Sequence, residues 1–244
     1  MQGTTKLYEK LSFNTHPSLE SKIYDGWLIR FANGFTRRAN SVNLLEESKI
    51  DIDEKIAYCE KYYKEHGLPC VFKVTDDDLE IAEYLEKRGY KVITPTDLMI
   101  MPLEGKEFPE TDCVYFDEPV QEWLDAYFAM EGYTKQSTID NATAVIKKVD
   151  QESIYCMICE DRQPVSCATA VLEDGYMILQ NVVTDERFRG RGYGRAVCEN
   201  LLSEAIKRGA HTAYLQVVQG NGPAFHIYET LGYKKIYTYR YLEK

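Results

Sequence analysis

The chain has 244 residues and a formal net charge of −10 at pH 7, and 44% of its residues are hydrophobic. That length can hold one large domain or two small ones. The acidic balance argues against nucleic acid as a partner, because phosphate binding needs a basic face, and it favours cationic partners. There is no run of about 18 apolar residues and no apolar leader at the N-terminus, so no membrane span and a cytoplasmic location are expected.

The seven cysteines predict buried, reduced thiols rather than a disulfide framework, since the number is odd and most lie inside apolar segments. Cys156 and Cys159 form a single C-x-x-C in an apparent strand, where residues three apart face opposite ways. No second pair and no histidine cluster accompanies them, so no metal site is expected.

The residue pattern in the first half of the chain predicts a hairpin followed by a helix, a strand and a second helix. Strand-like runs at 27–32 and 35–42 flank Asn33-Gly34, a strong hairpin signal. Residues 53–66 form a helical pattern capped near Asp51 or Asp53 and stopped by Gly67. A strand at 71–74 and a helix from Asp76 to Gly89 follow.

A polar segment with proline and glycine, residues 102–109, is the predicted boundary between domains at 1–105 and 108–244. The sequence of the second domain predicts an α/β fold with a mixed sheet. The predicted order of elements is strand, two helices, three strands, helix, strand, helix, strand. The predicted ranges are a strand at 113–116, helices at 120–130 and 139–149, strands at 153–159, 165–172 and 176–183, a helix at 196–206, a strand at 212–217, a helix at 223–231 and a strand from 233.

The turn between the strand at 176–183 and the next helix is rich in arginine and glycine, which is typical of a phosphate site. The free N–H groups of a helix start and its dipole attract anions, and glycines let the backbone come close. A P-loop would need Gly-Lys-Ser/Thr, and a dinucleotide fingerprint would need G-x-G-x-x-G; neither is present. The turn instead fits Arg/Gln-x-x-Gly-x-Gly, with Arg189, Gly192 and Gly194.

A second segment, 221–233, reads as turn, helix, glycine stop and strand. Pro223 suits a first helical turn and Gly232 suits a C-terminal cap. With these two segments in this order, joined by a strand, the chain resembles the GNAT superfamily of acetyl-CoA-dependent N-acyltransferases, and the resemblance covers the whole second half. It implies the GNAT fold there, with Asn221 on the pantetheine arm of the coenzyme and Tyr228 beside its sulfur.

The first half carries a faint repeat of the second. Residues 84–91, which contain Gly89-Tyr90, echo 228–234, which contain Gly232-Tyr233, and each segment precedes a strand. The alternative is a common helix–glycine–strand junction. The stretch 26–43 resembles the opening of the tandem subgroup of the family, which implies a degenerate GNAT-like α/β half at the N-terminus. This half has no Arg-x-x-Gly-x-Gly, so we expect it to bind no coenzyme of its own.

The resemblance also implies direct attack of an amine on acetyl-CoA in a ternary complex, with Tyr228 as the acid for the departing sulfur and no metal. The residues expected to bind the coenzyme are Val182, Val183, Thr184, Arg189, Gly190, Arg191, Gly192, Tyr193, Gly194, Arg195, Asn221 and Ala224.

The base stays open at this stage. Gln180 and Asn181 stand where many relatives have a carboxylate, and neither can act as a base. Glu131, Glu173 and Asp174 are loop carboxylates that could reach the cleft, or could be ordinary surface charges. Arg37 and Arg38 lie in a predicted strand, so at most one faces the cleft; both could instead be solvated hairpin charges.

Two functional classes remain. The first is an N-acetyltransferase acting on a small-molecule or protein amine, without nucleic acid or membrane partners. The second is a coenzyme-A-binding sensor or interaction protein without transfer activity, suggested by the missing strand carboxylate and the extra N-terminal half. The acceptor, the acyl-chain preference and the oligomeric state, a homodimer included, are left open by the sequence.

Overall fold

The computed structural model of the chain describes residues 2–244, which form two compact units. Unit 1 is the chain up to Asp97 together with Tyr237–Lys244, and unit 2 is Leu98–Ile236. The helices are α1 Gln2–Thr15, α2 Ile52–Glu65, α3 Leu79–Lys87, α4 Gln121–Glu131, α5 Gln136–Lys147, α6 Tyr193–Lys207 and α7 Gly222–Leu231. The strands are β1 Glu20–Tyr24, β2 Trp27–Phe31, β3 Val42–Leu44, β4 Val71–Thr75, β5 Lys91–Pro102, β6 Val114–Phe116, β7 Glu152–Glu160, β8 Gln163–Glu173, β9 Tyr176–Thr184, β10 Thr212–Val218 and β11 Lys234–Glu243. The chain passes from one unit to the other within β5 and within β11.

Unit 1 has the strand order β1-β2-β3-β4-β11. The first three strands are antiparallel, β3 and β4 are parallel, and β11 returns antiparallel to β4. Helix α2 connects the parallel pair and is capped by the Asp51 carboxylate, which accepts from Asp53 N at 2.9 Å. Trp27, Ile56 and Phe72 are buried in the core of this unit.

Unit 2 has the strand order β5-β10-β9-β8-β7-β6. Strands β6 to β9 are antiparallel neighbours, whereas β9 and β10 are parallel and are connected by α6. Its core contains Leu201 of α6 and Leu215 of β10. The predicted succession of elements and the mixed α/β fold are confirmed. Among residues 2–244, no helix has the length and apolar character needed to span a bilayer.

Three parts of the first half differ from the sequence predictions. Helix α1 and strand β1 were not predicted. The segment 35–42 is not one strand: Arg37–Ala39 form a single 3-10 turn. The Asn40 side chain explains the difference, because its Oδ1 accepts from Ala32 N at 2.8 Å and Gly34 N at 3.0 Å. These backbone N–H groups are therefore bonded within the loop and are not available for pairing with a neighbouring strand.

The same turn removes the reason for assigning opposite faces to Arg37 and Arg38, since strand alternation does not apply there. Arg37 forms an ion pair with Glu243 at 3.1 Å within unit 1. The division of the chain at 105–108 stays a prediction.

A buried ion pair joins α1 to the sheet of unit 1. Lys73 Nζ donates to both carboxylate oxygens of Glu9 at 2.8 and 2.6 Å, and the Tyr237 hydroxyl donates to Glu9 at 2.8 Å. The ammonium also lies 3.9 Å from the centroid of the Tyr239 ring. Burial lowers the pKa of Lys73, with the negative charge of Glu9 opposing that shift. Each charge is therefore tolerable only because its partner is present.

We expect Glu9→Gln to lower the free energy of unfolding by about 3–5 kcal/mol, because it leaves the Lys73 ammonium buried without a counter-ion. The double substitution Glu9→Leu with Lys73→Met should restore most of that loss, since no charge then stays buried. Urea unfolding followed by tryptophan fluorescence and circular dichroism measures both variants. A loss below about 1 kcal/mol, the range of exposed ion pairs, would contradict the assignment.

Candidate active site

The site is at the carboxyl end of β9, where this strand leaves its neighbour β10. Only the first residues of β9 pair with β10: Tyr176 lies opposite Thr212, and Ile178 lies opposite Tyr214. Opposite β8, Asn181 and Val182 together face the single residue Ala168, which is a β-bulge, and Asn181 has a φ of 54°. A bulge bends its strand and increases its twist. The last part of β9 thus lies beyond the β9–β10 ladder.

Side chains of neighbouring elements hold the bulge and the strand end. The Tyr127 hydroxyl donates to Asn181 Oδ1 at 3.4 Å, and Asn181 Nδ2 donates to Thr169 Oγ1 at 3.4 Å. Further along, the buried Ser166 hydroxyl donates to Val183 O at 2.8 Å and lies 3.0 Å from Thr184 Oγ1. These contacts keep Val182–Thr184 in one geometry.

The loop that follows β9 presents a row of unused backbone donors. None of the N–H groups of residues 190–194 donates to an acceptor within the described part of the chain, 2–244. Gly190 and Gly192 have φ values of 77° and 89°, in the left-handed region that favours glycine, and Gly192 caps α6. Successive free N–H groups at a helix start form an anion-binding cradle.

The arginines around this loop each have an acidic partner. Arg189 pairs with Glu186 at 3.2 Å, Arg191 with Glu160 at 3.6 Å and Arg195 with Glu199 at 2.8 Å. The arginine side chains are 42–58% exposed. The partners of Arg189 and Arg191 are exposed too, so these pairs contribute only about 0–1 kcal/mol and both arginines can turn towards a bound anion at little cost. The Glu199 partner of Arg195 is only 10% exposed, so Arg195 is held more firmly.

Gly194 allows close packing at the start of α6, and its φ is not positive. A Cβ at this position would lie 3.1 Å from Thr184 Oγ1 and 3.6 Å from Ile227 Cδ1. A second contact joins the same helices, because Arg195 donates to Thr230 Oγ1 at 2.8 Å. The end of β9, the start of α6 and one face of α7 therefore lie together.

Helix α7 brings the predicted acid to this region. Asn221 caps the helix and accepts from Ala224 N at 3.3 Å. Tyr228 is 8% exposed, packs in the core of unit 2, and has its ring 6.0 Å from that of Tyr233. Its hydroxyl makes no hydrogen bond to any of residues 2–244. Burial raises the pKa of Tyr228 above its ordinary value, so the hydroxyl keeps its proton at neutral pH and can donate it.

A pocket of about 530 Å³ lies between the end of α4 and the end of β9. It is lined by Ala129, Met130, Glu131, Gly132, Val183, Asp185, Glu186, Arg187 and Arg189. Of the three candidate carboxylates, only Glu131 lines this pocket. Two of them were wrongly expected in loops, because Glu131 is the last residue of α4 and Glu173 is the last residue of β8. Glu173 and Asp174 lie just before β9, at the end opposite to Thr184. At the usual rise per residue, Tyr176 and Thr184 at the two ends of this strand are about 26 Å apart.

The structure brings most of the predicted residues together and adds some that sequence reasoning missed. Ser166, Thr169 and Thr230 support the strand end and the helix pair, and no local pattern in the sequence marks them. Arg37 and Arg38 belong to unit 1. In residues 2–244 there is no group of three or more histidine, cysteine or acidic side chains arranged to hold a metal ion.

Comparison with known proteins identifies the relatives of the chain. A family model described as "Probable histone acetyltransferase Rv0428c C-terminal" matches residues 6–242. The uncharacterized N-acetyltransferase YobR of Bacillus subtilis strain 168 is 25% identical over 243 residues, which is 96% of each chain. The ribosomal protein bS18 alanine N-acetyltransferase of Salmonella typhimurium is 33% identical over 79 residues, or 32% of this chain and 53% of that protein.

Solved structures show the same fold. A GCN5-related N-acetyltransferase from Kribbella flavida superimposes with a TM-score of 0.73 at 17% identity, covering 98% of this chain and 95% of that one. A tandem GNAT protein from the clavulanic acid biosynthesis pathway gives a TM-score of 0.67 at 10% identity, covering 84% and 74%. Since the family model spans nearly the whole chain and the fold agrees, the protein belongs to the Rv0428c C-terminal family and is an acyltransferase of the GNAT superfamily.

Proposed function

We propose that the chain transfers the acetyl group of acetyl-CoA directly to an amine while both are bound. The observation that carries this proposal is the row of N–H donors at residues 190–194, located after the bulged end of β9 and beside α7 with Tyr228. A sensor without transfer activity gains no support, because the relatives are named as acetyltransferases. A cytoplasmic location stays a prediction.

The donor set fits the coenzyme. Residues 189–195 would hold the pyrophosphate through backbone N–H groups and reoriented arginines. The pantetheine arm would lie along Val182–Thr184, where β9 has left its parallel partner, and would meet Asn221 and Ala224 at the start of α7. Binding these remote parts positions the thioester and supplies free energy for the reacting end.

The reaction needs one new C–N bond and one broken C–S bond. The neutral amine attacks the thioester carbonyl carbon, and backbone N–H groups at the bulge would stabilise the oxyanion. When the C–S bond breaks, the sulfur takes the proton of the Tyr228 hydroxyl, which is neutral and makes no hydrogen bond within residues 2–244. The attacking nitrogen loses its surplus proton as the amide forms, and that proton restores the Tyr228 hydroxyl.

Glu131 is our candidate for receiving the proton of the acceptor ammonium, directly or through one water. It lines the same pocket as Val183 and Arg189, whereas Glu173 and Asp174 lie at the far end of β9. The side chains of Gln180 and Asn181 are neutral amides and cannot accept this proton.

The acceptor class is a primary amine of a protein or of a small molecule. The names of the relatives include a histone acetyltransferase family and enzymes that acetylate an alanine of ribosomal protein bS18, which favours a protein amine. The chain covers about half of the bS18-modifying enzyme, so that acceptor is not carried over.

We expect Gly192→Glu to abolish saturable binding of acetyl-CoA, because the new carboxylate would repel the pyrophosphate and a side chain is strained at a φ of 89°. Isothermal titration calorimetry measures the binding. Gly209→Glu is the matched control, since Gly209 has a φ of 90° and open space around it at the other end of α6. Equal affinity of the two variants would contradict the loop assignment.

We expect Tyr228→Phe to lower kcat by about 10²–10⁴-fold with little change in KM for acetyl-CoA, since only the proton for the leaving sulfur is removed. Release of coenzyme A thiol over a panel of amines and amine-bearing peptides gives both constants. Tyr233→Phe is the control, because it removes a buried hydroxyl that has no hydrogen-bond partner among the described residues. If Tyr228→Phe keeps the wild-type rate, the acid role is wrong.

Glu131→Gln should lower kcat and remove the fall of kcat at low pH, because protonation of this carboxylate would no longer limit the rate. Glu122→Gln, in the exposed first turn of the same helix α4, should leave the pH profile unchanged. The measurement is kcat against pH at saturating acetyl-CoA. An unaltered acid limb in Glu131→Gln would rule out the proposed base.

A further inference from the structure

Unit 1 repeats the crossover that builds the active site of unit 2. In each unit a strand, a loop and a helix lead to a parallel strand: β3, α2 and β4 in unit 1, and β9, α6 and β10 in unit 2. In each, a two-residue hairpin turn precedes the crossover, Asp25-Gly26 in unit 1 and Asp161-Arg162 in unit 2, with positive φ at all four residues.

The helix after the crossover also ends in the same way. In unit 1 Tyr90 N donates to Leu85 O at 3.1 Å, and in unit 2 Tyr233 N donates to Tyr228 O at 3.0 Å. Both tyrosines follow a glycine with positive φ and are 2% exposed. This match places Leu85 where unit 2 has its candidate acid Tyr228, so unit 1 lacks the acid.

The loop between β3 and α2 has the donors of an anion cradle, and a carboxylate of the chain itself fills it. Asp25 Oδ2 accepts from the Ser48 hydroxyl at 2.6 Å, Lys49 N at 2.9 Å and Ile50 N at 2.8 Å. The Lys55 ammonium lies 3.3 Å from the same oxygen. In unit 2 the corresponding loop keeps its N–H groups without acceptors among residues 2–244.

The hairpin that carries Asp25 is fixed against this loop. Gly26 O accepts from Leu45 N at 3.2 Å and Glu46 N at 3.0 Å. A Cβ on Gly26 would lie 2.7 Å from Glu46 O and 2.8 Å from Glu47 O, so only glycine allows the approach. The Lys55 side chain is fully buried, 4.0 Å from the centroid of the Trp27 ring. These donors hold the pKa of Asp25 well below its usual value, so it is ionised at neutral pH.

We infer that the Asp25 carboxylate occupies the position in unit 1 that a phosphate takes in unit 2, so that the chain binds a single coenzyme, in unit 2. A phosphate at this loop would find its donors engaged and a negative charge in place. The adjacent pocket of about 370 Å³ adds repulsion, since its acidic lining residues outnumber its basic ones, Lys6 and Lys10; the acidic residues are Glu9, Glu46, Glu47, Asp77 and Asp78.

The first test counts coenzymes and rests on the proposed function. Calorimetric titration with acetyl-CoA should give one equivalent for the wild-type chain and none for Gly192→Glu. Two equivalents in the wild type, or one equivalent retained in Gly192→Glu, would overturn the inference.

The second test needs no coenzyme and uses inorganic phosphate in the Gly192→Glu background. Adding Asp25→Ala should lower the thermal midpoint by several degrees, because Lys49 N and Ile50 N lose their acceptor and the buried Lys55 ammonium loses its counter-ion. Phosphate should then raise the midpoint more than sodium chloride at equal ionic strength, as it fills the emptied cradle. Asp53→Ala, which removes an exposed carboxylate in the first turn of α2, is the charge-matched control and should show no such difference.

The two tests separate two failures. If the wild-type chain binds no acetyl-CoA but phosphate stabilises Asp25→Ala selectively, the proposed function fails and the assignment of Asp25 stands. A phosphate response of Asp25→Ala no larger than that of Asp53→Ala overturns the assignment. Asp25→Asn keeps the shape of the side chain and serves for the same comparison if Asp25→Ala does not fold.

Discussion

The backbone N–H groups at the start of a helix need acceptors, and the two crossover helices of this chain satisfy that need differently. In α2 the chain supplies its own carboxylates, with Asp25 on the loop and Asp51 at the cap. In α6 the loop before the helix keeps the N–H groups of residues 190–194 without acceptors among residues 2–244. The donors before α2 are thus engaged within the protein, whereas those before α6 stay open at the loop where we propose that the coenzyme binds.

The rest of the site in unit 2 serves to keep that surface open and correctly placed. The bulge at Asn181 takes β9 out of its ladder with β10, and Ser166 fixes the strand end that results. The absence of a side chain at Gly194 lets Thr184 and Ile227 approach the helix start. Tyr228 then sits on a helix whose position depends on the same contacts. The proposed coenzyme loop and the proposed acid therefore depend on the same packing contacts.

The sequence was sufficient wherever a feature is local. Hydrophobic periodicity and glycine positions predicted α6, α7 and the loop with Arg189, Gly192 and Gly194, and the family resemblance supplied their roles. It was insufficient wherever a contact joins distant segments. Asp25 bonds to residues 23 to 25 positions away, and Ser166 bonds to a residue 17 positions away, so no spacing rule reveals them. Arg37 and Arg38 were misplaced because Asn40 bonds the loop to itself, which alternation cannot foresee.

The discontinuity of unit 1 has a consequence for synthesis on the ribosome. Its strand β4 pairs with residues 239–243 of β11, which are made only after the whole of unit 2. Domains generally fold in order from the N-terminus as the chain emerges, but here unit 1 must wait for residues 239–243. Until then the backbone edge of β4 has no partner from β11, and an open strand edge invites association with other chains. Unit 2 lies between the two parts of unit 1 in sequence, so all of its residues are made before unit 1 has its last strand.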